Sequence, residues 1–220
     1  MVEEIDKQKV LIVTSVEAEK EAVLRGLGDT GDIEVHVVGV GVVTAAVNTA
    51  FLLASKKYDV VINMGIAGGF NGKANVETVV IADELVAADL GAESKDGFLS
   101  LDELKLGSVL IPVDDRLTTS IKKILVENGA EVATGAVLTL STVTGTAETA
   151  DRLQKRYPNA MAEAMEGYGV GVAAKQMNIP IMEIRTISNM VGPRDRSAWK
   201  IKEALVALER ASAGLKEVFK

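Results

Sequence analysis

Apolar positions in this chain fall into short unbroken runs, separated by stretches of helical period. Residues 9–14 (KVLIVT), 33–38, 59–64 (DVVINM), 78–81 with 85–88, 133–143 and 180–188 read as strands. Their lack of a polar alternate marks strands buried on both faces. Residues 116–128 and 147–156 carry amphipathic helical patterns, the second stopped by Pro158, and residues 198–218 form a long terminal helix. Ser15 is placed to cap a first helix, with Glu17, Glu19 and Glu21 near its positive end. Gly39 and Gly41 allow a tight turn into a helix whose apolar stripe is Val43, Ala46, Val47, Ala50 and Phe51. Residues 167–177 are a Gly- and Ala-rich helix suited to close packing on a sheet, residues 65–69 a glycine loop, and residues 90–106 a polar loop or hairpin. Strands alternating with helices predict one α/β domain over residues 1–220. Its central sheet is mixed and mostly parallel, covered by helices on both faces.

Composition narrows the function. Hydrophobic residues make up 48% of the 220 and aromatics only 4%, so the core is aliphatic. The net charge of −7 argues against a protein that tracks a nucleic-acid backbone, but not against binding a nucleoside, which carries no phosphate. With no cysteine and one histidine, His36, read as structural, there is no disulfide, no thiolate nucleophile and no His or Cys metal cluster. No metal and no cofactor are expected. No apolar run approaches membrane-spanning length and residues 1–9 lack a signal-peptide core, so a cytoplasmic protein without membrane contact is expected.

The chemistry is concentrated late in the chain. The last strand runs into a loop that places Arg185, Ser188, Asn189, Arg194, Asp195 and Arg196 within twelve residues. In α/β proteins the C-terminal end of a strand is where ligands bind. Glu166, within Ala164-Met165-Glu166-Gly167, opens a buried helix and is suited to accept hydrogen bonds from a vicinal diol; stabilising the helix N-terminus is the plainer alternative. Glu19 is placed to activate water, although Glu17 and Glu21 beside it suit a solvated face. Gly65 to Gly69 lets backbone groups approach a ligand, or simply turns the chain. Gly39-Val40-Gly41 begins like a dinucleotide fingerprint, but Thr44 stands where the third glycine belongs, and a turn is the better reading. Trp199 either lines the mouth of a pocket or anchors the last helix.

Five segments in order carry a resemblance: residues 12–19 (IVTSVEAE), 39–41 (GVG), 61–69 (VINMGIAGG), 164–166 (AME) and 184–189 (IRTISN). This layout resembles the nucleoside phosphorylase and methylthioadenosine nucleosidase superfamily over nearly the whole chain. Residues 188–199 (SNMVGPRDRSAW) more closely resemble the futalosine hydrolase family, which serves the alternative menaquinone pathway. The resemblance implies that Glu19 activates the hydrolytic water, that Met165 packs on the ribose and that Glu166 binds its 2′- and 3′-hydroxyls. Gly65, Ile66 and Ala67 border the ribose and water. Val143 and Thr144 flank the base, Arg185 and Ser188 support the site, and Asn189 faces the purine. Arg194 and Arg196 are candidates for the carboxylate at the far end of futalosine, with loop solvation or salt bridging as the plainer alternative. The resemblance further implies a homo-oligomer, dimeric or larger.

Asn189 departs from the adenine-specific nucleosidases, which carry Asp there to protonate the leaving base. An amide has no such proton to transfer, and Asn is the residue of superfamily enzymes for 6-oxopurines such as the hypoxanthine of futalosine. Asp195 is the candidate replacement acid. Phosphorylases of the family place an arginine-bearing glycine loop after the first strand; here that stretch is Val16-Glu17-Ala18-Glu19, so water is the expected nucleophile. The alternatives are a methylthioadenosine/S-adenosylhomocysteine nucleosidase, a nucleoside-binding module without catalysis and, more distantly, a nicotinamide-dependent oxidoreductase.

Overall fold

The computed structural model describes residues 8–29 and 31–219, so the absence of a leader expected over residues 1–9 lies mostly outside the described residues. β1 (Val10–Thr14) is buried throughout and lies parallel to β2 (Ile33–Val37) on one side and β3 (Val60–Gly69) on the other. A strand with a partner on each side and helices above and below has no solvent face, which explains its unbroken apolar run. β3 also pairs with parallel β10 (Ile181–Met190) and antiparallel β9 (Ala160–Ala164). From β10 the sheet passes antiparallel to β4 (Val79–Ala87), then parallel to β8 (Val132–Thr139), and from β8 parallel back to β9. β3, β10, β4, β8 and β9 therefore close into a ring, with β1 and β2 extending from β3 and β7 (Leu110–Pro112) from β4. Closure leaves these ring strands no free edge. A separate hairpin of β5 (Gly91–Ser94) and β6 (Gly97–Ser100) leads into the single turn α3 (Leu101–Leu104).

The helices flank this sheet. α1 (Glu17–Leu27), α4 (Asp115–Glu127) and α7 (Ile201–Val218) pack together as one group, α2 (Val42–Ser55) and α6 (Gly167–Gln176) as another. α5 (Ala147–Arg156) buries Ala150 and Leu153 in a second, smaller apolar cluster around Phe70 and Leu138. Glycine sets the closest approaches. A Cβ at Gly169 would stand 2.2 Å from the Val42 carbonyl oxygen, so only glycine lets α6 lie against the start of α2. Among the described residues no helix is long and apolar enough to cross a membrane.

The mixed α/β architecture is the one expected, with several local corrections. Gly65 to Gly69 is not a loop: β3 continues to Gly69 because β9 and β10 supply partners on both sides. The two stretches expected at 78–81 and 85–88 are one strand, Val79–Ala87, with a bulge between Ala82 and Glu84. β8 ends at Thr139, short of Val143, and β7 and β9 were not anticipated. The N-cap of α1 is Val16, not Ser15, and the Glu19 side chain reaches back to the cap. The apolar stripe of α2 faces outward, with Val43 72% and Phe51 71% exposed, while Ala45, Thr49 and Leu53 face in. Near its start the small inward Ala45 and Thr49 accompany the close approach of α2 to α6, and Val43 and Phe51 are left outside.

Replacing Gly169 with Ala tests this close approach. The added methyl is expected to cost about 1–3 kcal/mol in a denaturant titration, as over-packing does, because the atom it meets is backbone and cannot swing aside.

Candidate active site

A cavity of about 310 Å³ opens where β1, β3 and β10 end. Those strands are parallel, so their C-terminal ends share one rim, the usual place for a ligand in such a sheet. Of the residues expected at the site, Glu19, Ile66, Ala67, Val143, Met165, Glu166, Arg185, Ser188 and Asn189 all line it.

Glu19 is 3% exposed, unlike Glu17 and Glu21 on the outer face of α1. Its Oε2 accepts the backbone N–H of Ser15 at 2.9 Å and of Val16 at 3.3 Å, and its Oε1 accepts that of Ile66 at 2.9 Å. The first two bonds close the start of α1; the third ties α1 to β3. Gly65 lies beneath: a Cβ there would come within 2.5 Å of Glu19 Oε1 and 2.7 Å of Arg185 Nη1. Burial raises the Glu19 pKa above its ordinary value, Arg185 and the N–H donors of Ile66 and Ser15 pull against it, and Glu166 adds to the rise. A buried carboxylate of raised basicity suits removal of a proton from water.

Arg185 is 1% exposed and holds the floor together. Its Nε donates to Glu183 Oε1 at 2.8 Å and its Nη2 to Glu166 Oε2 at 3.2 Å. Burial acts to lower the Arg185 pKa, but Glu183, Glu166 and Glu19 outweigh it and leave it raised, so the guanidinium keeps its charge. Glu183, fully buried, has its pKa raised by burial against the pull of Arg185 and of Asn63, whose Nδ2 donates to it at 3.1 Å. Glu166 is the N-cap of α6, as the sequence implied. Its Oε1 accepts the Gly41 N–H at 3.2 Å, and Gly41 holds φ +91, a left-handed backbone that glycine adopts without strain. The GVG turn therefore serves to bring one N–H onto Glu166.

At the far end β10 gains a residue relative to β3 between Ile187 and Asn189. A bulge re-aims the side chains beside it. Ser188 Oγ stands 3.2 Å from the Ala67 carbonyl and 2.8 Å from Asn189 Oδ1, and Asn189 Nδ2 donates to the Met190 carbonyl at 3.2 Å. The amide is thus fixed with one N–H left over. Thr144 sits just behind the lining and donates its N–H to Glu163 Oε1 at 2.8 Å. Glu163 is 5% exposed, lines the cavity, and has its pKa raised by burial against the lowering effect of Thr144.

Two expected residues lie apart. Asp195 is exposed and caps a 3-10 turn (Arg196–Ala198), accepting from the Ser197 N–H at 3.0 Å and the Ser197 hydroxyl at 2.5 Å. Those bonds lower its pKa, the opposite of what a proton donor needs, and it is not part of the cavity lining. Arg194 is exposed with its guanidinium 5.3 Å from the Trp199 ring, and Trp199 does line the cavity, so Arg194 stands at the mouth through that contact. Glu163, Ser15, Val16, Val40 and Ala164 were not anticipated in the lining. Glu163 lies only three positions before Glu166, but without β9 nothing in the sequence pointed it inward.

Residues 8–220 match the family model described as Phosphorylase superfamily. The chain is 42% identical to futalosine hydrolase of Streptomyces coelicolor, over 95% of each chain. It is 43% identical to futalosine hydrolase of Acidothermus cellulolyticus, over 94% of this chain and 90% of that one. Among solved structures, a 5′-methylthioadenosine/S-adenosylhomocysteine nucleosidase of Colwellia psychrerythraea in complex with adenine superposes with a TM-score of 0.83 over 98% of this chain and 97% of that one; at 23% identity, that likeness speaks for the fold. The chain belongs to the phosphorylase superfamily, on its futalosine hydrolase branch.

Proposed function

We propose that this protein hydrolyses the N-glycosidic bond of futalosine, releasing hypoxanthine and dehypoxanthinylfutalosine in the alternative menaquinone pathway, and that it does so in the cytoplasm. The observation that carries the reading is that Glu19 and Glu166 open into one cavity, each tied to a different wall and both beside Arg185. In this mechanism Glu166 accepts hydrogen bonds from the 2′- and 3′-hydroxyls and Met165 packs on the ribose. As the C1′–N9 bond breaks, positive charge grows on the sugar and the glutamates stabilise it. Water attacks C1′ and passes a proton to Glu19. Asn189 donates its remaining N–H to the base, which suits the acceptors N7 and O6 of a 6-oxopurine.

Water is favoured over phosphate by the charges in the lining. Glu19, Glu163 and Glu166 are carboxyls, and the one guanidinium among them, Arg185, is already held by Glu166 and Glu183. An incoming anion would meet repulsion before it met a free donor.

The outward stripe of α2 supports a homo-oligomer, the assembly that the resemblance implies. Val43, Val47 and Phe51 lie exposed on the helix that follows Val40, itself 52% exposed and part of the cavity lining. A second copy covering this face would bury the stripe and reach the rim of the cavity.

Purified protein with futalosine is expected to release hypoxanthine at the same rate with and without phosphate, and to leave methylthioadenosine largely intact; strict phosphate dependence or preference for methylthioadenosine would overturn the reading. Glu19→Gln is expected to lower kcat by about 10²–10⁴, the usual contribution of a general base. Wild-type kcat should rise with pH through the Glu19 pKa, above 4.5, because only the ionised form accepts a proton. The same shift has a stability signature. A carboxyl whose folded pKa is raised contributes stability below its unfolded pKa and loses it as pH rises through the folded value. The melting temperature of Glu19→Gln, measured against wild type, should therefore improve between pH 4.5 and neutrality. Phe51→Glu is expected to shift the mass measured by light scattering toward the 23.2 kDa of one chain.

A further inference from the structure

The amide of Asn189 leaves the proton for the departing base without a source, and Asp195, outside the cavity lining and held ionised, does not supply it. Glu163 occupies the position where such a source is needed. It enters from β9, opposite Gly68 of β3, and the point where a Gly68 Cβ would stand lies 3.4 Å from Asn189 Nδ2 and 3.5 Å from Glu163 Cγ. Both side chains therefore reach the same space beside Gly68, which a Val191 methyl, 3.0 Å from that point, also borders. Thr144 ties down Glu163 Oε1, while Oε2, though buried, has no hydrogen-bond partner among the described residues. A buried polar atom left unpaired costs free energy unless a ligand completes it.

We propose that Glu163 is a catalytic residue of this site, which binds the nucleobase through its unpartnered carboxyl oxygen beside Asn189 and transfers its proton to a ring nitrogen of the base as the glycosidic bond breaks. The step balances: the base takes the C1′–N9 electron pair and the Glu163 proton and leaves neutral, the attacking water gives its oxygen and one hydrogen to C1′ and its other hydrogen to Glu19, and solvent returns a proton from Glu19 to Glu163. Burial, which holds the Glu163 carboxyl above the ordinary carboxylate range, favours the protonated form that the step requires. The proposal deepens the nucleosidase reading and rests on it. Asn189 then orients the base through hydrogen bonds, and the acid stands one strand away.

The test compares wild type with Glu163→Gln on futalosine and on futalosine methylated at N7, whose base leaves as a neutral molecule with no proton supplied. The expected result is a fall in kcat of about 10²–10⁴ on futalosine with the rate on the methylated substrate within a few-fold of wild type. Loss on both substrates, marking a merely structural role, or on neither, overturns the proposal. If wild type rejects the methylated substrate, the kinetics on futalosine decide: a fall in kcat at constant KM supports the acid role, and a rise in KM alone overturns it. Wild type that releases no hypoxanthine from futalosine refutes the futalosine reading itself, whereas active wild type with an equally active Glu163→Gln refutes only the role of Glu163.

Discussion

A guanidinium that is 1% exposed must keep its charge, and the site is built around that requirement. Arg185 sits in the ring of strands with Glu183 on its own strand, Glu166 at the mouth of α6 and Glu19 from α1 close enough to act on it. Taking an ion from water into a protein interior costs several kcal/mol, and only well-placed partners offset it. The partners come from different parts of the chain, so the ion pair network forms only when the sheet has closed. Two of the three carboxylates that offset the arginine, Glu166 and Glu19, are those proposed to meet sugar and water.

The network is over-supplied with acid. If Glu19, Glu166 and Glu183 were all ionised beside one arginine, a net negative charge would remain in a buried place. Burial raises the pKa values of Glu19 and Glu183, and the neighbouring Glu166 adds a smaller push in the same direction. Such an excess is costly for folding; in the proposed mechanism it would stabilise a sugar that becomes positively charged and repel competing anions. Glycine makes the crowding possible at two points. Gly65 leaves room for Glu19 and Arg185, and Gly167, whose Cβ would fall within 2.0 Å of Glu183 Oε2, lets α6 begin directly over the buried pair.

The end of the cavity at Asn189 follows a different rule. There the geometry depends on a register shift: the extra residue in β10 at Ser188 aims Asn189 into the cavity, and the Lys200 N–H donates to the Ser188 carbonyl at 2.7 Å, fixing the bulge to the start of the last helix. The loop from Val191 to Trp199 is thereby drawn over the opening, where Trp199 joins the lining. Arg194 reaches the opening by stacking on that tryptophan.

The amino-acid sequence alone determined the alternation of strands and helices, the aliphatic core, and the candidates Glu19, Glu166, Arg185, Ser188 and Asn189, because each rests on a local signal: an apolar run, a capping position or a polar cluster at a strand end. Tertiary structure decided what depends on distant partners. Gly65 to Gly69 looks like a loop by propensity and is a strand because β9 and β10 satisfy its backbone on both sides. β9 itself, AMAEA, has weak strand propensity and forms because it completes the ring. The α2 stripe has a clear helical period, but period does not say which face turns inward, and packing against α6 set that. Asp195 and Glu163 exchange importance for the same reason: both are acids near expected site residues, yet one caps an exposed turn and the other is carried into the cavity by a pairing with Gly68 that no local pattern records.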